Sequence, residues 1–241
     1  VELTVPESLV RWRSAPRLVA SRYPVVGLFD RVAAPADVDA LIELEGWTND
    51  RITGELGILS AIPRGEWVVG RPMASVVMAS YCHPRAGGSR FSSEHRGAWY
   101  AARTIGTALA ESIHHRTAEL REVGAFETRV EMRVYLADFA ARFHDIRKPG
   151  SDGRTGSKVW RDLYDPDDYG VSQRFGQQLL DAGSNGLVYR SVRDRGGECI
   201  CCFRPALVKN VRAGGHYEFR WEGRPEPQVR PLAIPTRDAS A

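Results

Sequence analysis

Hydrophobic residues recur at helical spacing over Pro35–Gly46, where Val38, Leu41, Ile42 and Leu44 follow a proline and precede a glycine, which predicts a short helix. Ser75–Cys82 (SVVMASYC) and Gly97–Ala102 (GAWYAA) are predicted as strands on either side of a loop rich in glycine, serine and arginine. The clearest helix is Thr104–Val123: Thr104 caps its start, Gly124 ends it, and Ile105, Ala108, Leu109, Ile113 and Leu120 form an apolar stripe. Glu111 falls off that stripe. At 100° per residue it points away from the apolar face, with His115 one turn later on the same side.

Arg129–Leu136 alternates with period two, which predicts a half-buried strand with Val130, Met132, Val134 and Leu136 inward. A polar loop follows over Pro149–Lys158. Asp168 then caps a second helix whose Val171, Phe175 and Leu179 face inward before Gly183. Strands are predicted at Gly186–Arg193 and Glu198–Arg204, joined through Gly196 and Gly197, with a last one at His216–Trp221. Four prolines beyond Gly223 argue against a further packed element, so residues 223–241 are expected to be an extended tail. There is no internal repeat and no dividing linker. The reading is an α+β fold with antiparallel sheets and flanking helices, in one domain over residues 1–222 with its core at about 17–210.

Composition changes this picture little. The 241 residues are 43% hydrophobic and 26% charged, enough for one sizeable core. A net charge of +3, from 33 basic and 30 acidic residues, is too small to attract nucleic acid. Only Lys148, Lys158 and Lys209 are lysines; the other basic residues are arginines, whose planar fork suits phosphate and carboxylate oxygens, although a genome that favours arginine codons is the stronger explanation of the excess. Cys82, Cys199, Cys201 and Cys202 lack zinc-site spacing and read as buried free thiols, with Cys199 and Cys201 on one strand face and Cys202 on the other. No metal site is expected. No apolar run of about 18 residues and no signal-peptide pattern is present, so the expected location is the cytoplasm, without membrane attachment.

The chemistry concentrates in Gly87–Arg116 (GGSRFSSEHRGAWYAARTIGTALAESIHHR), which supplies an arginine in a loop, a tyrosine in a strand and a glutamate in a helix. Arginine can hold a pyrophosphate bidentately, an aromatic ring can pack on a flat heterocycle, and a carboxylate can stabilise positive charge at a sugar carbon. Taken singly, each residue has an ordinary structural explanation: a solvated arginine, a core tyrosine and a surface glutamate.

The segment resembles the central motif of the RES-domain family, the toxin half of RES-Xre toxin-antitoxin pairs. Arg90 sits in the G-x-R-F turn, Tyr100 lies ten residues on, Glu111 eleven further in A-x-x-E, and His115 matches a histidine one turn beyond. The family's serine falls on Ser191 in GLVYRSVRDRGGE, where Arg190 departs from a proline common at that place. The stretches RLVASRYP, ELEGWTNDR, EMRVYL, YDPDDYGVSQ and CCFRP extend the likeness from Arg17 to Arg204. An early family arginine corresponds to Arg17, with Arg13 and Arg22 as competitors.

The resemblance implies a fold similar to ADP-ribosyltransferases, NAD⁺ as a substrate and no bound cofactor. It also implies an Xre-type antitoxin as partner, and leaves open a homo-oligomer held through that complex. Under it, Arg90 and Arg17 hold the pyrophosphate, Tyr100 packs on the nicotinamide or its ribose, Ser191 hydrogen-bonds the nicotinamide end and His115 contacts substrate or a neighbour of Glu111. Glu111 binds a ribose hydroxyl and stabilises the oxocarbenium-like charge. Water, phosphate or a protein side chain remain open as acceptor, so hydrolysis, phosphorolysis and protein ADP-ribosylation all stand, beside a non-catalytic interaction domain that keeps the fold. No G-x-G-x-x-G follows a strand, in agreement with NAD⁺ being consumed.

Overall fold

A computed structural model describes residues 5–21, 29–30, 62–148 and 158–233 of the chain. The helix expected at Pro35–Gly46 and nearly all of the loop expected at Pro149–Lys158 lie outside the described residues.

The order of elements is β1 (Glu7–Ala20), α1 (Ala74–Cys82), β2 (Trp99–Ala102), α2 (Ile105–Val123), β3 (Glu127–Asp145), α3 (Lys158–Leu163), α4 (Gly170–Asp181), β4 (Gly186–Arg190), β5 (Glu198–Cys202), β6 (Lys209–Glu222) and β7 (Gln228–Leu232). Among the described residues the strands form one seven-stranded sheet in the order β2-β5-β4-β3-β6-β7, with β1 also paired to β3. All pairings are antiparallel except a short parallel step that sets His144 and Asp145 of β3 beside Leu187 and Val188 of β4. A single α+β sheet with flanking helices is thus the architecture.

Period-two alternation places the core on both faces of the short central strands. Val188, Ile200 and Cys202 join Tyr81, Met78 and Trp99 in one apolar cluster. Leu187, Tyr189, Cys199 and Cys201 join Phe91, Ala108, Leu163 and Phe175 in another, so the cysteines divide between faces as their spacing required. A third cluster of Ala20, Met132, Phe219 and Trp221 receives Leu109, Ile113 and Leu120, most of the α2 stripe. The α2 caps form as read: Thr104 accepts from the Thr107 amide, and Gly124 closes the helix at φ 65°.

Three expectations are corrected. Ser75–Cys82 is not a strand but most of α1; seven of its nine residues are buried, and a short helix apolar all round carries no 3.6-residue period to tell it from a buried strand. Within residues 223–241, Gln228–Leu232 is extended but not a free tail, because it pairs with β6 as an edge strand, where a proline is tolerated. The alternation of Arg129–Leu136 holds only to Val134: an irregularity between Arg133 and Tyr135 buries Tyr135 instead. The long β1 was not legible, since a register shift between Trp12 and Ala15 and a left-handed Ser14 break its alternation. Among the described residues no helix is long and apolar enough to cross a membrane.

Candidate functional site

A cleft of about 250 Å³ opens where β1, β2 and α2 meet the loop before β2; its wall includes Arg17, Arg90, Tyr100, Glu111 and His115. Five of the six sequence-predicted site residues therefore converge across a separation of nearly 100 positions. The sixth, Ser191, stands behind the wall.

The loop that carries Arg90 is tied down from three sides. Ser89 and Ser92 exchange main-chain hydrogen bonds across the turn. The Gln173 side-chain amide of α4 donates to the carbonyls of Gly87 and Ser89 at 2.7 and 3.1 Å. Gly176, one turn on, lets α4 lie against the loop, since a Cβ there would meet the Phe91 carbonyl oxygen at 2.1 Å. The Tyr100 hydroxyl accepts from the Phe91 amide at 3.0 Å and lies 3.0 Å from Ser92 Oγ, so it anchors the loop while its residue lines the cleft. Burial pushes the Tyr100 phenol well above its ordinary pKa, which keeps it neutral.

Arg90 is buried, at 7% exposure, yet no described carboxylate pairs with it. Its Nη1 donates to the carbonyls of Asp165 and Leu163 at 2.6 and 3.3 Å, and its guanidinium lies 4.6 Å from the centre of the Tyr169 ring. Neutral carbonyls and a ring face orient the charge without cancelling it, which leaves it available to an anion.

Arg17 is similar. Its Nη1 donates to the Tyr100 carbonyl at 3.1 Å, it stacks 5.1 Å from the centre of Trp99, and its buried Nε has no hydrogen-bond partner among the described residues. Burial pushes its pKa down, the mark of a cation short of compensation. Arg13 is exposed on β1 and absent from the described cleft wall, on which Arg17 stands, while Arg22 lies outside the described residues.

Glu111 is the only acidic residue on the described wall. Its Oε1 accepts the Ser191 hydroxyl at 2.6 Å, and the Cys199 thiol lies 4.0 Å away. Burial, reinforced by the Glu111 carboxylate, pushes the Cys199 thiol well up, so it stays protonated. Ser191 itself is 8% exposed, and its Oγ accepts the amides of Arg193 and Asp194 at 3.0 and 2.9 Å. Both lone pairs of the hydroxyl are thereby occupied, and its one proton is directed at Glu111. Ser191 is not part of the described cleft lining, and its hydroxyl meets the carboxylate that is. His115 is pushed down to about 3 by burial first and then by Arg85, His114, Arg193 and Arg116, so it lines the cleft as a neutral imidazole.

Sequence reasoning missed Arg85, Arg116 and Tyr169 on the same wall. Arg85 and Arg116 both bind Glu119, each at 2.7 Å, so two cations share one carboxylate. Arg116 directly follows His115 on α2, and Tyr169 belongs to the YDPDDYGVSQ stretch; nothing local distinguished them from solvated neighbours. Together these side chains form a cation-rich cleft around the one carboxylate of its described wall in an α+β domain, a class of site suited to a phosphate-bearing glycoside.

The family follows from comparison with known proteins. The RES domain matches residues 62–222, and the chain belongs to the RES-domain family. It is similar to the uncharacterized protein y4oC of Sinorhizobium fredii, 28% identical over 209 residues that span 86% of this chain and 82% of that protein. Among solved structures, a chain of the M. tuberculosis MbcT-MbcA toxin-antitoxin complex aligns with a TM-score of 0.46 at 11% identity, covering 88% of this chain and 87% of that one.

Proposed function

We propose that this chain is a toxin that cleaves the bond between nicotinamide and ribose in NAD⁺ and is neutralised by an Xre-type antitoxin. The observation that carries the reading is Glu111, the one carboxylate on a described wall that also presents Arg17, Arg85, Arg90 and Arg116. NAD⁺ combines the two features such a wall answers: a doubly anionic pyrophosphate, and a glycosidic carbon that gains positive charge as neutral nicotinamide departs.

In this reading Arg90 and Arg17 bind the pyrophosphate, and the Tyr100 ring packs on the nicotinamide or its ribose. Glu111 accepts a ribose hydroxyl and stabilises the oxocarbenium-like charge, while Ser191 fixes the carboxylate from behind. The C–N bond breaks with its electron pair passing to the nicotinamide ring nitrogen. The acceptor then bonds to the ribose carbon and releases its proton to solvent. His115, neutral near pH 7, offers a hydrogen bond rather than a charge.

The test is nicotinamide release by the purified chain from NAD⁺ labelled in its adenylate half, with and without phosphate and cell lysate. Label in ADP-ribose identifies water as acceptor, label in a phosphorylated ADP-ribose identifies phosphate, and label on a protein identifies a transferase. Expression in bacteria without an antitoxin should arrest growth and lower cellular NAD⁺; normal growth and NAD⁺ at verified soluble expression would overturn the proposal.

A further inference from the structure

Ser191 can hold Glu111 only if the turn between β4 and β5 is itself held against α2, and a second grip lies one helical turn earlier. Thr107 and Glu111 are four residues apart on α2 and so share a face. The Thr107 hydroxyl donates to Asp194 Oδ2 at 2.6 Å, and the Asp194 amide donates to Ser191 Oγ at 2.9 Å. Ser191 then donates to Glu111. Because the Thr107 proton is committed to an acceptor-only carboxylate, the 2.9 Å contact between the Thr104 and Thr107 hydroxyls runs from Thr104 to Thr107.

The hydroxyl and amide donors thus form an ordered relay from the α2 cap, through Thr107, Asp194 and Ser191, back to the carboxylate on the same helix. Three further observations show a fitted contact. Thr107 is 1% exposed. A Cβ on Gly197 would lie 2.7 Å from Thr107 Oγ1, so the turn needs a residue without one to approach this closely. The Gly197 amide closes the turn on the Asp194 carbonyl at 2.9 Å. The Asp194 carboxylate also sits beside the first turn of α2, where the helix dipole favours a negative charge.

We propose that Asp194 and Thr107 are positioning residues for Glu111, acting through Ser191 and touching no substrate. For its kinetic part this rests on the proposed NAD⁺ cleavage; its mechanical part does not. The test compares Thr107→Val, which keeps the shape and removes the hydroxyl, with Thr107→Ser, which keeps the hydroxyl, and with Asp194→Ala.

Amide hydrogen exchange at Arg193 and Asp194, read by NMR on folded protein, should quicken about tenfold in Thr107→Val and return towards wild type in Thr107→Ser. The kcat for nicotinamide release should fall about tenfold in Thr107→Val with KM within about twofold, because the lost alignment matters in the transition state. Thr107→Ser should regain at least about half of kcat. The double variant of Thr107→Val and Asp194→Ala should fall little further than either single change, as expected for members of one relay.

Unchanged exchange in folded Thr107→Val, a kcat loss that Thr107→Ser does not relieve, or losses that simply add would each overturn the proposal. A wild-type chain that releases no nicotinamide would sink the proposed reaction alone, and the exchange comparison would still decide whether Thr107 holds the Ser191 turn.

Discussion

Replacing Glu111 with glutamine separates charge from shape. The Ser191 hydroxyl donates to Oε1 at 2.6 Å, and a glutamine carbonyl oxygen in that place can still accept it. A charged acceptor exchanged for a neutral one costs about 1 kcal/mol, the difference between charge-assisted and ordinary hydrogen bonds. For a domain of this size that is a shift of roughly 2–4 °C in Tm. The kinetic effect should be far larger. A unit negative charge about 4 Å from a developing ribosyl cation contributes about 4 kcal/mol at an effective dielectric constant near 20. Loss of one preorganised group of this kind typically lowers the rate by about 10² to 10³. Nicotinamide release by wild type and Glu111→Gln, measured at equal concentration with thermal unfolding alongside, should therefore show near-abolition of turnover in a folded protein. A folded Glu111→Gln variant that keeps more than about a third of wild-type turnover would refute the charge-stabilising role.

Arg90→Lys should lower kcat/KM for NAD⁺ by at least about tenfold without unfolding the chain, because an ammonium cannot reproduce the fork that Asp165 and Leu163 orient; unchanged catalytic efficiency would remove Arg90 from the site. His115 binds its proton only near pH 3 in the folded chain, whereas an unfolded imidazole takes one near 6.5. Between those values the unfolded state holds more protons, so His115 makes stability fall as pH falls from about 6.5 towards 3. Urea unfolding of His115→Asn across that range should show a shallower acid loss than wild type, and an identical slope would contradict the burial of His115.

How much of this protein its sequence determines is clearest at α2. The threonine cap, the glycine stop and the apolar stripe are all set by residues within a few positions of one another, and the helix forms as read. The same periodicity turns Glu111 away from the stripe, and the structure sets it on the cleft wall. In β4 and β5, alternation settles which cysteines share a face, since a strand's side chains obey a strict period of two. Arg90, Tyr100 and Glu111 were legible as a set through a family motif spanning 22 consecutive residues of the chain.

Tertiary structure decided the rest, because those outcomes depend on partners far away in the chain. Ser75–Cys82 has a strand former's composition but is buried at all positions except Ala79 and Ser80, and packing overrode propensity. Gln228–Leu232 became a strand only because β6 offered an unpaired edge. Arg17, not Arg13, reached the cleft because β1 pairs with β3 across a register shift that no local pattern records. The Ser191 hydroxyl meets Glu111 for a similar reason. The amides that occupy its lone pairs lie two and three residues on in the same turn, but the acceptor of its proton is 80 residues away and meets it only when the sheet closes against α2.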